Sequence, residues 1–242
     1  MKKILVKTAA IAMLAVCLAG CSQTPATEAL TENETEAETT TTTTEASVEE
    51  TESSTAAPDI HLDEDICEIA KDYGMTQVND QQEMMNFWGG FDPASVYYIS
   101  KDSDEATFLY SSLFNPDAKS FPDIKARELI MCIDKKTAGS NGKSTTTEIY
   151  KIKTADNGSA QELYDAFSQK KDSYEYSSGE INGYTYTIGF YGSDKNCVAE
   201  GTFLKDNTVI RMLKIGNYEA ADDCIGFFCD EYGFVSPLTL KK

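Results

Sequence analysis

The sequence predicts an α+β domain over residues 59–242, an antiparallel sheet with helices packed on it. Two observations carry that class. Strand-like runs come in consecutive groups, and each group leads into a segment whose apolar residues repeat at helical spacing. Turn chemistry separates the runs: Asn141-Gly142 and Lys205-Asp206-Asn207 stand where hairpins need them.

Residues 62–73 read as a helix because Leu62, Ile66, Ile69, Ala70 and Tyr73 recur at helical spacing and Gly74 ends the run. Residues 80–88 form a short second helix, with Met84, Phe87 and Trp88 on one face and Gly89-Gly90 as its stop. Strand-like runs follow at 95–100, 107–112, 127–134 and 145–153. "DNGS" at 156–159 caps a helix over about 160–169, with Leu163 and Phe167 inward. The second half gives strands at 184–190, 197–204 and 209–215. A final helix runs over about 219–231. Its Ala221, Cys224, Ile225 and Phe228 follow i, i+3, i+4, i+7, the stripe that faces a core. Cys229 falls away from the centre of that stripe, and Asp222, Asp223 and Asp230 point to solvent. The halves carry a weak likeness, strand-strand-strand-helix in each. "KI" at 151–152 precedes "AQELYDAF", and "KI" at 214–215 precedes "ADDCIGFF". Duplication is one reading; the apolar spacing common to all strand–helix units is the other.

Ahead of the domain stand Met1-Lys2-Lys3 and an unbroken apolar core over residues 9–20, 12 residues long. A basic start and a short apolar core are the pattern of a secretory leader, and a membrane-spanning helix needs roughly 20 residues. The leader ends in Leu18-Ala19-Gly20-Cys21. This resembles the lipobox of bacterial lipoproteins, and the resemblance is confined to residues 1–21. It implies cleavage after residue 20, a diacylglycerol on the Cys21 sulfur, and a chain held to the outer face of a cell membrane by its lipid. Residues 21–58 then form a tether. Residues 22–58 hold nine glutamates and twelve threonines but no lysine, arginine or aromatic residue. Such a stretch buries too little apolar surface to offset chain entropy and reads as disordered. As a flexible coil it spans ~35 Å, and ~125 Å fully extended.

The formal net charge is −19. Loss of Lys2, Lys3 and Lys7 with the leader gives −22, and setting aside the nine tether glutamates leaves −13 on the domain. That charge disfavours nucleic acid and anionic surfaces as partners. The domain holds five cysteines, Cys67, Cys132, Cys197, Cys224 and Cys229, in no zinc or C-x-x-C spacing. Cys224 and Cys229 lie about 140° apart on a helix, too far round it to bond to each other.

The chemistry is approached by exclusion. The only histidine, His61, adjoins the tether, so neither a Ser-His-Asp nor a Cys-His engine has a positioned imidazole. "GSNGKSTT" at 139–146 lacks the first glycine of a phosphate loop and lies between strands. The acidic stretches 102–105 and 222–231 have the ligand type for calcium but not the loop pattern. They read as a hairpin turn and a solvated helix face. No catalytic residue, metal site or cofactor is assigned. Aromatics are the remaining lead. In "YTYTIGFYG" Tyr184 and Tyr186 alternate with threonines, as a half-buried strand or as a platform for a sugar or peptide. "NFWGGFDP" sets Trp88 and Phe91 around two glycines, as a packed helix end or as a binding loop. The expected function is non-enzymatic binding of an envelope protein, peptide or glycan by a lipid-anchored extracytoplasmic domain. The alternative is a carboxylate-dependent hydrolase of cell-wall or environmental polymer.

Overall fold

An eight-stranded sheet organises the chain, in the order β1-β2-β3-β4-β8-β7-β6-β5. The computed structural model describes residues 66–115, 121–137, 144–193, 196–216 and 223–241. The strands are β1 (Thr76–Gln77), β2 (Ala94–Ser100), β3 (Ala126–Thr137), β4 (Ser144–Thr154), β5 (Glu175–Ile181), β6 (Tyr184–Ser193), β7 (Asn196–Lys205) and β8 (Thr208–Gly216). The helices are α1 (Ile66–Asp72), α2 (Gln81–Gly89), α3 (Ser103–Phe114), α4 (Asn157–Phe167) and α5 (Cys224–Tyr232). Only β1 pairs parallel to its neighbour; every other pairing is antiparallel. The mixed α+β class, with helices on an antiparallel sheet, is the fold.

Both faces of the sheet are covered, and the strands alternate between two apolar cores rather than between core and solvent. On one face Ile130, Cys132, Ile149, Ile210 and Met212 pack under α1 and α5. On the other Leu129, Met131, Tyr150, Ile152 and Val209 pack under α2, α3 and α4. We call these the α5 face and the α4 face. The central β4–β8 pair joins the two halves of the chain, matching Thr146 with Ile215 and Ile152 with Val209. A short 3-10 turn at Pro237–Leu240 closes the α5 face, its Leu238 and Leu240 packing against Phe190, Cys197 and Ala199.

Local chemistry explains the element ends. Asp80, Asp102, Asp156 and Asp223 each cap a helix N-terminus by accepting from main-chain N–H groups of the first turn. Gly74 takes φ +94°, and Met75 N–H reaches back to the Ala70 carbonyl, which closes α1. Asn182 and Gly183, at φ 52° and 77°, make the two-residue turn between β5 and β6.

Several expectations change. Residues 107–112 are helix, not strand. Asp102-Ser103-Asp104-Glu105 is the N-terminus of α3 rather than a hairpin turn, and Ala106, Leu109, Tyr110 and Leu113 form its buried stripe. Thr107, Phe108 and Tyr110 favour strand locally, but the cap and the stripe decide for helix. β1 and β5 were not expected. Cys229 is fully buried and its thiol faces the Met212 sulfur at 3.7 Å. Asp223 does not stand free on a solvated face: it takes the Lys214 ammonium at 2.5 Å, and that lysine is 1% exposed. The two halves share a strand-to-helix ending, but α4 and α5 lie on opposite faces, whereas a two-fold axis relating antiparallel β4 and β8 would place both helices on the same face. The expectations for His61, Cys21, the tether, Asn141-Gly142, Ala221 and Asp222 lie outside the described residues.

Candidate binding face

The α4 face is only partly roofed. Pairing carries one row of side chains across five strands: Lys135 on β3, Thr146 on β4, Ile215 on β8, Val198 on β7 and Tyr191 on β6. Four strand spacings make that row ~19 Å wide. Ile215 is 47% exposed and Tyr191 48%, large apolar groups in water. One row inward stand Glu148, Leu213 and Glu200, and beyond them Tyr150, Arg211 and Thr202.

One wall of this surface is the C-terminus of α2 and the loop after it. Lys135 builds that wall. Its ammonium donates to three main-chain carbonyls, Phe87 at 2.8 Å, Trp88 at 2.6 Å and Gly90 at 2.7 Å. A cation at a helix C-terminus meets both the orphan carbonyls and the negative end of the helix dipole. Burial lowers the Lys135 pKa, and the Glu148 carboxylate works against that shift. Gly90 is required at its position, because a Cβ there would lie 2.7 Å from the Asn86 carbonyl oxygen. The indole of Trp88 donates to the Tyr150 hydroxyl at 3.1 Å, which donates onward to Glu148 at 2.6 Å. Burial and the neighbouring Glu148 carboxylate raise the Tyr150 phenol well above its ordinary value, so it stays a donor. Phe91 ends the wall with its ring 96% exposed. Between wall and sheet lies a cavity of about 280 Å³, lined by Trp88, Phe91, Lys135, Thr146, Glu148 and Ile215 among others.

The opposite wall is a stack of three tyrosines. Tyr174 lies between Tyr176 and Tyr191, with ring centroids 5.8 and 5.2 Å apart and planes within 18° and 16°. The Lys171 ammonium sits 5.0 Å from the Tyr174 ring. Lys171 also donates to Glu200 at 2.8 Å, as does Arg211 at 2.7 Å and the Tyr176 hydroxyl at 3.2 Å. Burial pushes the Glu200 carboxyl upward, but Arg211 and Lys171 together outweigh it and hold the carboxyl below its usual range. Arg211 is completed by Thr202 at 2.8 Å and by the ring of Phe167, 5.4 Å from its guanidinium carbon. The two cations on one carboxylate leave the network with one net positive charge, and its hydrogen bonds order the tyrosine wall.

Of the four aromatic candidates read from the sequence, the fold brings Trp88 and Phe91 to this face. Tyr184 and Tyr186 lie on the α5 face. Tyr184 is buried edge-on against Phe234, and Tyr186 is half-buried beside Phe203. Sequence reasoning missed Lys135, Glu148, Tyr174, Tyr191, Glu200 and Arg211. Only register with neighbouring strands shows that they share a face. Glu148 and Glu200 do share one row, with Leu213 between them, which is the pairing a two-carboxylate hydrolase would need. Glu200, however, is 2% exposed and engaged by two cations. Among the described residues no group of three or more histidine, cysteine or acidic side chains is placed to hold a metal ion, and no helix is long and apolar enough to cross a membrane. Comparison with protein-family models, curated proteins and solved structures finds no match for this chain.

Proposed function

We propose that the chain is a lipid-anchored extracytoplasmic binding protein that lays an extended, uncharged glycan across the open row of the α4 face. The observation that carries this reading is the row itself, with exposed Ile215 beside the wall of Trp88 and Phe91 and exposed Tyr191 ending the row in the tyrosine stack. Aromatic faces offer sugars a flat apolar partner, with polar edges for orientation. The cations near the row are engaged within the protein, Lys135 by three main-chain carbonyls and Lys171 and Arg211 by Glu200, and the acidic domain repels polyanions. Leu18-Ala19-Gly20-Cys21 supports the anchor, and residues 22–58 supply reach from a lipid surface.

Trp88 is the only tryptophan and belongs to the proposed wall, so its emission reports occupancy directly. Titration with soluble chito-oligosaccharides should shift that emission saturably. Phe91→Ala and Tyr191→Ala should each weaken binding roughly tenfold, the worth of an aromatic contact of ~1.4 kcal/mol. An unchanged spectrum across the titration, or wild-type affinity in both variants, rejects the glycan reading. Cys21→Ala should release the protein from membranes or leave its leader attached. A wild-type mature chain with an unmodified N-terminus would remove the anchor from the proposal.

A further inference from the structure

We propose that β5 is a self-pairing edge, at which two copies of this chain join antiparallel about Ser178 and continue one sheet through both. The two ends of the sheet are unlike. At one end β1 is only two residues long, and α1 and α2 flank it in the chain. At the other β5 runs seven residues in unbroken register with β6, with no proline, lysine or bulge in it and with Glu175 and Glu180 as its charged residues. Exposed edges usually carry such devices, because their free N–H and C=O groups template another strand.

The phase of those free groups follows from the turn. Ile181 and Tyr184 flank the two-residue Asn182-Gly183 loop and therefore exchange both main-chain hydrogen bonds. Gly179 and Ser177 repeat that inward pairing with Tyr186 and Ile188, which leaves Tyr176, Ser178 and Glu180 with their N–H and C=O groups directed outward. Among the described residues no main-chain bond outside the strand ladders uses these three. Ser178 and Glu180 are exposed and Tyr176 half-buried, so the edge is open to a partner.

The sequence of the edge then selects its partner. A two-fold axis through Ser178 sets Ser178 opposite Ser178 and Tyr176 opposite Glu180. All three outward positions of both strands are then hydrogen-bonded and no like charges meet. Moving the axis to Glu180 opposes two glutamates, which is unfavourable, and moving it to Tyr176 or Ser177 leaves outward positions unmatched. The strand is thus complementary to itself in one register. Six main-chain bonds with little apolar burial make a weak, reversible contact. The domain charge of −13 adds repulsion that salt screens, so association should strengthen as ionic strength rises.

Disulfide trapping in the full-length chain tests the register. In Ser178→Cys the two thiols stand across a hydrogen-bonded pair with Cα atoms ~5.5 Å apart, inside disulfide range. In Ser177→Cys the thiols lie on the other face and two residues out of step, ~8 Å apart and beyond that range. Mild oxidation should yield a covalent dimer from Ser178→Cys at least fivefold above both wild type and Ser177→Cys. Ser178→Lys, which sets two lysines opposite each other, should shift the sedimentation equilibrium of the unoxidised protein to monomer. Both positions tolerate exchange without loss of the core, and Trp88 emission verifies folding. Equal trapping at 177 and 178, trapping no greater than wild type, or a covalent adduct with some other protein instead of a second copy would overturn the proposal.

Discussion

Asp223→Ala is the substitution for which the sequence and the structure give opposite answers. On a solvated helix face the loss of an aspartate changes stability by no more than about 0.5 kcal/mol. In the fold Asp223 does two things. One oxygen accepts from the Ile225 N–H as the cap of α5, and the other takes the ammonium of Lys214, whose side chain is 1% exposed. Removing a cap costs ~1 kcal/mol. Removing one partner of a buried ion pair costs ~3–5 kcal/mol. The Asp223 side chain is itself 19% exposed, so water reaches part of the pair and the lower end applies. The expected loss is thus ~3–4 kcal/mol in all. Urea unfolding followed by Trp88 emission measures it. Asp223→Asn keeps a capping oxygen but no charge, and should recover about 1 kcal/mol. Lys214→Met with Asp223→Ala should be more stable than Asp223→Ala alone, since a buried ammonium without its carboxylate is replaced by an apolar side chain. If Asp223→Ala unfolds within 0.5 kcal/mol of wild type, or if Lys214→Met adds its own loss in full, the pair does not stabilise this fold.

Two further predictions concern opposite faces of the sheet. Phe228, on the buried side of α5, is fully buried, and Phe228→Ala should cost ~3–5 kcal/mol in the same assay; a loss under 1 kcal/mol would mean that the α5 face is loosely packed. Glu200 titrates below its ordinary value of 4.5 in the fold, so the unfolded chain binds its proton more readily. Its stabilisation is present above that ordinary value and lost as pH falls through the lower folded value. The pH dependence of the urea midpoint below about pH 4.5 should therefore be shallower in Glu200→Gln than in wild type, and an unchanged acid limb would deny Glu200 its ion pairs.

Legibility in the sequence followed the source of each signal. α2, α4 and the strands β2, β3, β4, β6, β7 and β8 were readable within three residues at each end, since caps, turns and apolar period all agree there. β5 was not, because "EYSSGEI" has almost no apolar residue to alternate. It is held by its turn and by pairing with β6, and Asn182-Gly183 is a hairpin signal that the sequence reading passed over. α3 was misread because strand-forming side chains sit on a helical stripe. The candidate face was half legible: Trp88-Gly89-Gly90-Phe91 announces a helix stop with exposed rings. Lys135, Glu200 and Arg211 resemble the outward residues of a half-solvated strand. Only helices on both sides of the sheet bury Glu200 and Arg211 and half-bury Lys135, and nothing local to a strand says that its second face is roofed.

Length explains why a row remains open, and the opposite face explains why that row matters. Strand β4 has 11 residues and α4 also has 11, but a strand rises about 3.3 Å per residue and a helix 1.5 Å. A single helix therefore roofs less than half of the strands it crosses, and the ends need other cover. On the α5 face the chain supplies it: the 3-10 turn seats Leu238 and Leu240 over Phe190, Cys197 and Ala199. Directly through the sheet, at Tyr191, Val198 and Ile215, no described segment plays that part, and 47% of Ile215 and 48% of Tyr191 stay in water. Large apolar side chains held on rigid strands, between a wall fixed by three lysine hydrogen bonds and a wall fixed by Glu200, make a surface already ordered before any ligand arrives. Such order lowers the entropy cost of association, so the uncovered row of the α4 face, rather than the closed end of the α5 face, is where a ligand gains most by binding.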